Sequence, residues 1–140
     1  MIATLRNRSR NDDPRKLREL IQKATNLASA YELSCVMVGM SAAEGDLLFP
    51  EMVDYVGSSL RVDDAIFRMT RERAVFFIAD ADRNRAREIM DRLLAGFHES
   101  FTPAEEPRVT LSYFEVTPHS QQVAVRDVLP ALFTPTNVAH

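Results

Sequence analysis

The chain has 140 residues, of which 46% are hydrophobic and 26% charged, as is ordinary for one globular domain. Its net charge of −3 argues against a nucleic-acid-binding protein, and no apolar run reaches the about 18 residues of a membrane span. The N-terminus lacks the apolar stretch of a signal peptide, and a single cysteine, Cys35, cannot form an intrachain disulfide. We therefore expect a cytoplasmic domain, without direct membrane insertion, in which Cys35 is a buried structural thiol.

The hydrophobic pattern alternates between helical and strand periods along the chain. Asp13-Pro14 predicts a helix start, because aspartate caps the first turn and proline fits its first position. Two short apolar runs around the polar tip Thr70–Arg73 predict a β-hairpin. The predicted elements, in chain order, are a helix over 14–31, a buried strand over 33–40, a loop over 41–46, a helix over 47–60, hairpin strands over 65–69 and 74–78, a helix over 83–99, a strand over 108–116, and a last helix within 121–133 that Pro130 interrupts.

This order predicts an α+β fold in which helices flank a single, mainly antiparallel sheet. Phe76 and Phe77 are expected in the core and not on an exposed stacking surface. The alternating residues of the last strand that should share one face are Val109, Leu111 and Tyr113. The predicted division of the chain is a polar segment at 1–13, one domain at 14–133 and a tail at 134–140.

Four short motifs follow one another at defined spacing. Gly45-Asp46 precedes an amphipathic helix, Arg68–Ala74 forms the charged hairpin tip, Asp80 follows the hairpin, and Val109–Ser112 lies in the last strand. In this order they resemble the GGDEF domain family, the diguanylate cyclases that make cyclic di-GMP and their degenerate relatives. That family has a Gly-Asp segment, an Arg-Tyr-Gly-Gly-Asp/Glu-Glu-Phe hairpin and a Val-Thr-Val-Ser strand in these places. The resemblance covers about residues 14–116 and implies a nucleotidyl-cyclase-like form of the α+β fold.

The same resemblance implies that the catalytic site is missing. Thr70 and Arg71 stand where active members have two glycines, which let the backbone approach the phosphates of GTP. Arg73 replaces the second acidic residue of the tip, and no carboxylate stands near 39–41, where the family has a magnesium-binding aspartate. Two-metal phosphoryl chemistry needs such carboxylates to hold Mg²⁺. We therefore expect no catalytic residues, no metal, no cofactor and no cyclase activity.

An Arg-x-x-Asp motif, Arg61 to Asp64, is separated from Thr70 by the five residues 65–69. This spacing resembles the family's second nucleotide site, an inhibitory site that binds the product. Arg92 matches an arginine that completes this site from the helix after the hairpin. The chemistry suits guanine, because arginine can donate to its O6 and N7, aspartate can accept from its N–H groups, and another arginine can neutralise phosphate. The resemblance thus implies a cyclic di-GMP site formed by Arg61, Asp64 and Arg92.

A structural interpretation of Arg61 and Asp64 is a surface ion pair at a helix end, which contributes about 0–1 kcal/mol. The bare motif is not specific, because Arg10 to Asp13 is a second copy. Other candidates have simpler interpretations. The histidines without metal-ligand spacing are His98, His119 and His140. The arginines interpreted as solvated are Arg71 and Arg73 in the hairpin tip and Arg83, Arg85 and Arg87 at the start of a helix.

Three functional hypotheses follow, and they belong to different classes. The first is a degenerate, inactive GGDEF-like domain that serves as a cyclic di-GMP receptor and acts on an unknown protein partner. A homodimer, or a dimer bridged by two stacked ligands, fits this hypothesis. The second is a ligand-free scaffold or dimerisation module that keeps the fold and ignores guanine nucleotides. A residual enzyme is the third and least favoured hypothesis, which formation of product from GTP would revive.

Overall fold

In the computed structural model, residues 12–43, 46, 48–100, 109–120 and 123–133 are described. Within these ranges the order of helices and strands is the one that the sequence predicts. The elements are α1 (Pro14–Tyr31), β1 (Cys35–Ala42), α2 (Phe49–Ser58), β2 (Ala65–Thr70), β3 (Arg73–Ile78), α3 (Arg83–Ser100), β4 (Val109–Val116) and α4 (Val125–Phe133).

The four strands form one antiparallel sheet in the order β2-β3-β1-β4. β1 lies in the middle, where Val38 is opposite Phe76 of β3 and Tyr113 of β4. Residues 35–40 of this strand are all buried, because helices cover both faces of the sheet. The predicted α+β fold is confirmed.

Alternate side chains of the sheet enter two apolar layers. Helices α1 and α4 cover one face, on which Met37 and Phe77 are fully buried. Helices α2 and α3 cover the other face, on which Val38 and Phe76 are fully buried. Phe76 and Phe77 are therefore core residues, as predicted. The β4 residues that pack together on the α2–α3 face are Val109, Leu111 and Tyr113, which confirms their alternation.

Helix α1 begins as its sequence predicts. Pro14 occupies the first turn, and the Asp13 carboxylate accepts a hydrogen bond from the backbone N–H of Arg15 at 2.9 Å. The helix ends at Glu32, whose backbone is left-handed at φ 56° and whose N–H donates to the carbonyl of Ala28 at 3.1 Å. Before the helix, the backbone N–H of Asp12 donates to the carbonyl of Arg68 at 2.8 Å, so the chain enters α1 along the outer edge of β2.

Four strand boundaries differ from the prediction. β1 begins at Cys35 rather than 33 and continues to Ala42, because the Ala42 N–H still donates to the carbonyl of Glu72 at 2.9 Å. The predicted four-residue polar tip is shorter, since Thr70 and Arg73 are paired and only Arg71 and Glu72 form the turn. The sequence did not predict this pairing, because the backbones of Thr70 and Arg73 form it while their polar side chains are typical of a turn.

The last three helices also differ slightly from the predicted ranges. α2 spans 49–58 rather than 47–60, and α3 extends to residue 100. Pro130 lies inside α4 and does not interrupt it. A proline removes one helical hydrogen bond, but Val128 and Leu132 on either side are buried and hold the helix against the sheet. The parts of the predictions that fall on 1–11, 44–45, 47, 101–108, 121–122 and 134–140 lie outside the described residues.

Gly39 marks the point where α4 comes closest to the sheet. A Cβ atom at Gly39 would lie 2.7 Å from the Cβ of Leu132 and 3.2 Å from the Cζ of Phe133. Such a distance to another Cβ is shorter than van der Waals contact allows. Glycine therefore stands at position 39 because the helix needs the space that any side chain would take.

Candidate functional site

The hairpin tip lies at the sheet end where the resemblance places a cyclase site. Thr70 receives a hydrogen bond at its hydroxyl from the Glu72 N–H at 3.2 Å, so this side chain stabilises the turn. The guanidinium of Arg73 lies 5.2 Å from the centre of the Phe133 ring. The shallow depression beside the turn has a volume of about 400 Å³ and is lined by Ala42, Thr70, Glu72 and Arg73.

This end of the sheet carries one acidic side chain in the turn, Glu72, and none in β1, whose last residues are Ser41 and Ala42. Across the described part of the chain, no three His, Cys, Asp or Glu residues come together as a metal site would require. The resemblance aligns Thr70 and Arg71 with two glycines whose backbone approaches phosphate. Both residues carry a side chain here.

Arg61 and Asp64 meet at the opposite end of the sheet, in the loop between α2 and β2. The Nε of Arg61 donates to Oδ2 of Asp64 at 3.2 Å, and Nη2 donates to Oδ1 at 3.3 Å. The two side chains thus form a two-point fork. The backbone reinforces it, because the Arg61 N–H donates to Oδ2 at 3.1 Å and the Asp64 N–H donates to the carbonyl of Arg61 at 3.0 Å.

The same pair joins this loop to the end of β3. The backbone N–H of Ala79 donates to Oδ1 of Asp64 at 2.9 Å, and Nη2 of Arg61 donates to the carbonyl of Ala79. The Asp64 side chain is only 2% exposed, whereas that of Arg61 is 55% exposed. The pair is therefore a brace between two loops, with its carboxylate buried and its guanidinium partly in solvent.

The charge of Arg61 follows from this arrangement. The hydrogen-bonded Asp64 carboxylate raises the pKa of Arg61 above its usual value, so the guanidinium is charged at every accessible pH. The bonds of this brace use Nε and Nη2 of Arg61, and Nη1 takes no part in them. The carboxylate of Asp64, by contrast, already accepts from four donors of its own chain.

Arg92 lies in the middle of α3 and is exposed. It is nine residues beyond Arg83, the first residue of α3, or about 14 Å along the helix axis at 1.5 Å per residue. Gly96, one turn further on the same side, faces the Tyr55 hydroxyl of α2. Arg92 therefore lies toward the side of α3 that meets α2. The structure brings Arg61 and Asp64 together by direct bonds, and Arg92 stands apart on this helix.

Two participants in the brace were not found in the sequence. Ala79 acts through its backbone N–H and carbonyl, so its residue type carries no signal. Lys23 reaches over from α1, where its Nζ donates to the carbonyl of Asp63 at 3.3 Å and lies 5.3 Å from the centre of the Phe77 ring. Such long-range partners have no fixed spacing in the sequence. The left-handed backbone of Asp80, at φ 53°, turns the chain directly after Ala79.

The arginines interpreted as solvated are exposed, but several contact other residues. Arg85 pairs with Glu88 at 3.3 Å along α3. Arg83 donates from Nη2 to the carbonyl of Tyr113 at 3.3 Å, and the guanidinium of Arg87 lies 5.5 Å from the centre of the Tyr113 ring. Both contacts attach the start of α3 to β4. These arginines thus support the packing of helix and sheet.

Cys35 is fully buried, which confirms its predicted structural role. Burial is the main cause that raises the pKa of its thiol, so the reactive thiolate is disfavoured. None of the described helices combines the length and the apolar character needed to cross a lipid bilayer.

Neither a family model nor a curated protein matches the sequence, but solved structures do match. The FimX GGDEF domain from Pseudomonas aeruginosa aligns with 87% of this chain and 88% of its own, at a TM-score of 0.67 and 10% identity. The chain has the fold of a GGDEF domain. At this identity the likeness concerns the fold alone.

Two further GGDEF-fold structures extend the comparison. The diguanylate cyclase SiaD from Pseudomonas aeruginosa, solved in complex with its activator SiaC, aligns with 86% of this chain and 55% of its own, at a TM-score of 0.63 and 13% identity. The GGDEF domain of DgcB from Caulobacter crescentus, solved in complex with c-di-GMP, aligns over 81% and 77%, at a TM-score of 0.61 and 9% identity. The same fold thus occurs in one structure with a protein partner and in another with a cyclic dinucleotide.

Proposed function

We propose that this chain is a catalytically inactive GGDEF-like domain that binds cyclic di-GMP and acts as a signalling receptor. The observation that carries this proposal is the Arg61 guanidinium, held by Asp64 and Ala79 at the start of the hairpin while more than half of its side chain is exposed. A guanidinium fixed in this way loses little conformational entropy when it binds an anion or a guanine edge.

Within this proposal the three residues have different roles. Arg61 contacts the ligand through its Nη1 donors, which lie outside the brace. Asp64 positions Arg61, since its carboxylate is buried and engaged by four donors. The guanine-reading role implied for Asp64 by the resemblance requires the carboxylate to exchange one of these donors for the ligand. Arg92 completes the site from α3 by neutralising phosphate.

The proposal includes the absence of cyclase activity. Thr70 at the end of β2 and Arg71 in the turn carry side chains where the tip would have to approach GTP, and the turn offers only Glu72 as an acidic side chain. Metal-assisted phosphoryl transfer needs more than one such ligand. Incubation with GTP and Mg²⁺ or Mn²⁺, followed by chromatography, should yield no cyclic di-GMP. Any product formed in proportion to the protein would overturn this part of the proposal.

The decisive test of the receptor proposal is isothermal titration of cyclic di-GMP, with GTP as the comparison ligand. The titration is made into the parent chain, Arg61→Ala and Arg15→Ala. Arg15 is a matched control, because it forms the same two-point fork with Asp13 at the other end of the sheet. Loss of a charge-assisted bond worth about 1.5–3 kcal/mol should weaken binding by at least about tenfold in Arg61→Ala.

The expected result is that Arg15→Ala binds like the parent and Arg61→Ala does not. Binding that survives unchanged in Arg61→Ala would place the ligand elsewhere. An added variant, Asp64→Asn, separates the roles within the site, since a positioning residue should alter affinity for every ligand that Arg61 binds, without a preference for guanine. A stoichiometry near two ligands per chain would support the stacked form and, with it, a ligand-bridged dimer.

A second candidate function is a ligand-free interaction module with an unknown protein partner. The observation that favours it is the complete use of the Asp64 carboxylate within the chain. In this case the Arg61–Asp64 pair is only a brace. Saturating cyclic di-GMP would then give neither heat nor a change in melting temperature, and a dimer or partner complex would form without nucleotide.

A further inference from the structure

β4 is an edge strand of the sheet, and the backbone groups on its outer side can bond to another strand. The direction of the backbone groups of β4 follows from that of β1. The Ala42 N–H donates to the Glu72 carbonyl, so the backbone groups of Ala42 point toward β3. Even-numbered residues of β1 therefore bond to β3 and odd-numbered ones to β4. The β4 residues whose backbone N–H and C=O point away from the sheet are consequently Val109, Leu111, Tyr113 and Glu115. The Arg83 guanidinium reaches the outward carbonyl of Tyr113, which agrees with this assignment.

The two apolar layers are both incomplete at this edge. Residues 35–40 of β1 and 74–78 of β3 are all buried, whereas in β4 only Val116 is buried. Leu111 and Tyr113 are half-buried on the α2–α3 face, and Phe114 is half-buried on the α1–α4 face. An additional strand that brought apolar groups on both faces would complete both layers.

The opposite edge of the sheet is closed at its tip. Asp12 covers β2 there, since its backbone N–H donates to the Arg68 carbonyl at 2.8 Å and its Oδ2 accepts from the Arg68 N–H at 2.7 Å. Arg68 also pairs with Asp54 at 2.9 Å. Within the described ranges no strand lies along the outer edge of β4, and Arg83 contacts this edge at the Tyr113 carbonyl. A strand of eight residues at the edge of a sheet is a template for pairing with another strand.

We propose that β4 pairs antiparallel with β4 of a second copy, about a twofold axis at Ser112. Outward-pointing residues must face one another in such a ladder. An axis at Ser112 uses all four of them, because it sets Leu111 opposite the partner's Tyr113 and Val109 opposite the partner's Glu115. An axis at Leu111 would leave Glu115 without a place in the ladder.

A second copy fits this edge in shape and charge. It brings helices on both faces of its own sheet, so both open layers continue across the axis. Glu115 is the single charged residue of β4, and the two copies of Glu115 lie about 20 Å apart at 3.4 Å per residue. The acidic charges of β4 therefore do not meet, and the exposed Arg83 side chain has to leave the Tyr113 carbonyl when the ladder forms. The pairing involves neither Arg61 nor Arg92, so it is independent of the proposed ligand.

Cysteine cross-linking tests both the pairing and its register. In Ser112→Cys the two introduced thiols lie opposite each other, with Cα atoms about 4.5 Å apart, which is within the range of a disulfide. Thr110→Cys is the matched control on the same face, because its two Cα atoms would be about 14 Å apart. Cys35 does not interfere, since it is fully buried.

Mild oxidation of the full chain, read on a non-reducing gel, should cross-link Ser112→Cys at least about tenfold faster than Thr110→Cys, because only the former meets the geometry of a disulfide. Leu111→Pro provides a second test, because it removes an outward N–H without removing a bond to β1. In sedimentation velocity this variant should dissociate the dimer at concentrations where the parent remains paired. Equal cross-linking of the two cysteine variants, or a monomeric parent at every concentration, would overturn the proposal.

Discussion

Two arginine–aspartate forks occur in this molecule, and their chemistry is nearly the same. Arg15 donates through Nε and Nη2 to Asp13 at 3.3 and 2.8 Å, and Arg61 donates through the same atoms to Asp64 at 3.2 and 3.3 Å. Their surroundings differ. The Asp13 side chain is 54% exposed, whereas that of Asp64 is 2% exposed and also accepts from Ala79, fifteen residues away in the chain.

The different exposure of Asp13 and Asp64 determines what each ion pair contributes to the structure. The pair at Asp13 caps one helix, and water can replace either partner. The pair at Asp64 joins two loops, and its carboxylate accepts from four donors, namely the Arg61 N–H, Nε and Nη2 of Arg61, and the Ala79 N–H. A short motif therefore acquires a structural role through burial and a long-range partner, and the residue types alone do not determine that role.

The largest effect is expected for Asp64→Ala. This change leaves the buried Ala79 N–H without its acceptor and releases Arg61, so the free energy of unfolding should fall by about 2–3 kcal/mol. Urea denaturation followed by circular dichroism measures this loss. Asp63→Ala is a suitable control, because Asp63 is exposed and its side chain lies outside the brace. If the two variants are equally stable, the brace contributes nothing.

Asp13→Ala should destabilise the protein by less than half of that amount, because solvent can satisfy the first turn of α1. The effect should also depend on pH. The hydrogen-bonded Arg15 lowers the pKa of Asp13 in the folded state, so this contribution is complete above the unfolded pKa of about 3.9 and is lost as the pH falls further. The stability difference between parent and variant should therefore shrink as the pH falls through the lowered pKa of Asp13. A difference that stays constant as the pH falls would contradict the assignment.

A smaller effect separates the two arginines. Arg61→Ala should cost about 1 kcal/mol, because Asp64 keeps the backbone donors of Arg61 and Ala79. Arg15→Ala should leave the unfolding midpoint unchanged. Double-mutant cycles measure each pair directly, and only the Arg61–Asp64 cycle should show a coupling energy clearly above zero. Equal coupling in the two cycles would mean that burial does not distinguish them.

The smallest effect is local, and Cys35 reports it. Cys35 begins β1, and the preceding residue, Ser34, accepts at its carbonyl from the Ala81 N–H at 2.9 Å, so the chain just after Ala79 passes beside it. Burial raises the pKa of this thiol, so alkylation at pH 8 should be slow in the folded parent and in Asp13→Ala. Asp64→Ala should accelerate it by opening the loop at Ala79. Similar rates in all three proteins would show that this loop stays closed without Asp64.

The raised pKa of Cys35 also fixes the direction of a pH dependence. The unfolded thiol ionises at about 8.5 while the folded thiol stays protonated, so the folded state binds more protons above this pH. The contribution of Cys35 to stability is complete below pH 8.5 and declines as the pH rises beyond it. In Cys35→Ala this decline should be absent.

The order of the elements was predictable because each has a clear local signal. The cap at Asp13, the helical spacing of Leu17, Leu20 and Ile21, and the apolar run of β3 each determine their own segment. Boundaries that depend on backbone pairing were less predictable. Thr70 and Arg73 have polar side chains suited to a turn, but their backbones pair, and the strand therefore extends further than the side chains indicate.

The candidate site was only partly predictable. Spacing identified Arg61 and Asp64 as a pair, because residues three apart at a loop can meet. It did not predict that Asp64 is buried, since this depends on the Ala79 backbone and on the return of the chain after β3. The position of Arg92 on α3 came from the resemblance and not from any contact. Its role remains a prediction, and titration of cyclic di-GMP into Arg92→Ala would test it.

Helix α4 packs directly against the backbone of Gly39, and this contact limits which residues can replace the glycine. A strand carboxylate at position 39 would need a Cβ, and that atom would already collide with Leu132. One mutation therefore cannot place an acidic ligand there, because the helix would have to move first. Related sequences that keep α4 in this position are accordingly expected to keep glycine at position 39 while the solvent-facing positions of the hairpin tip vary.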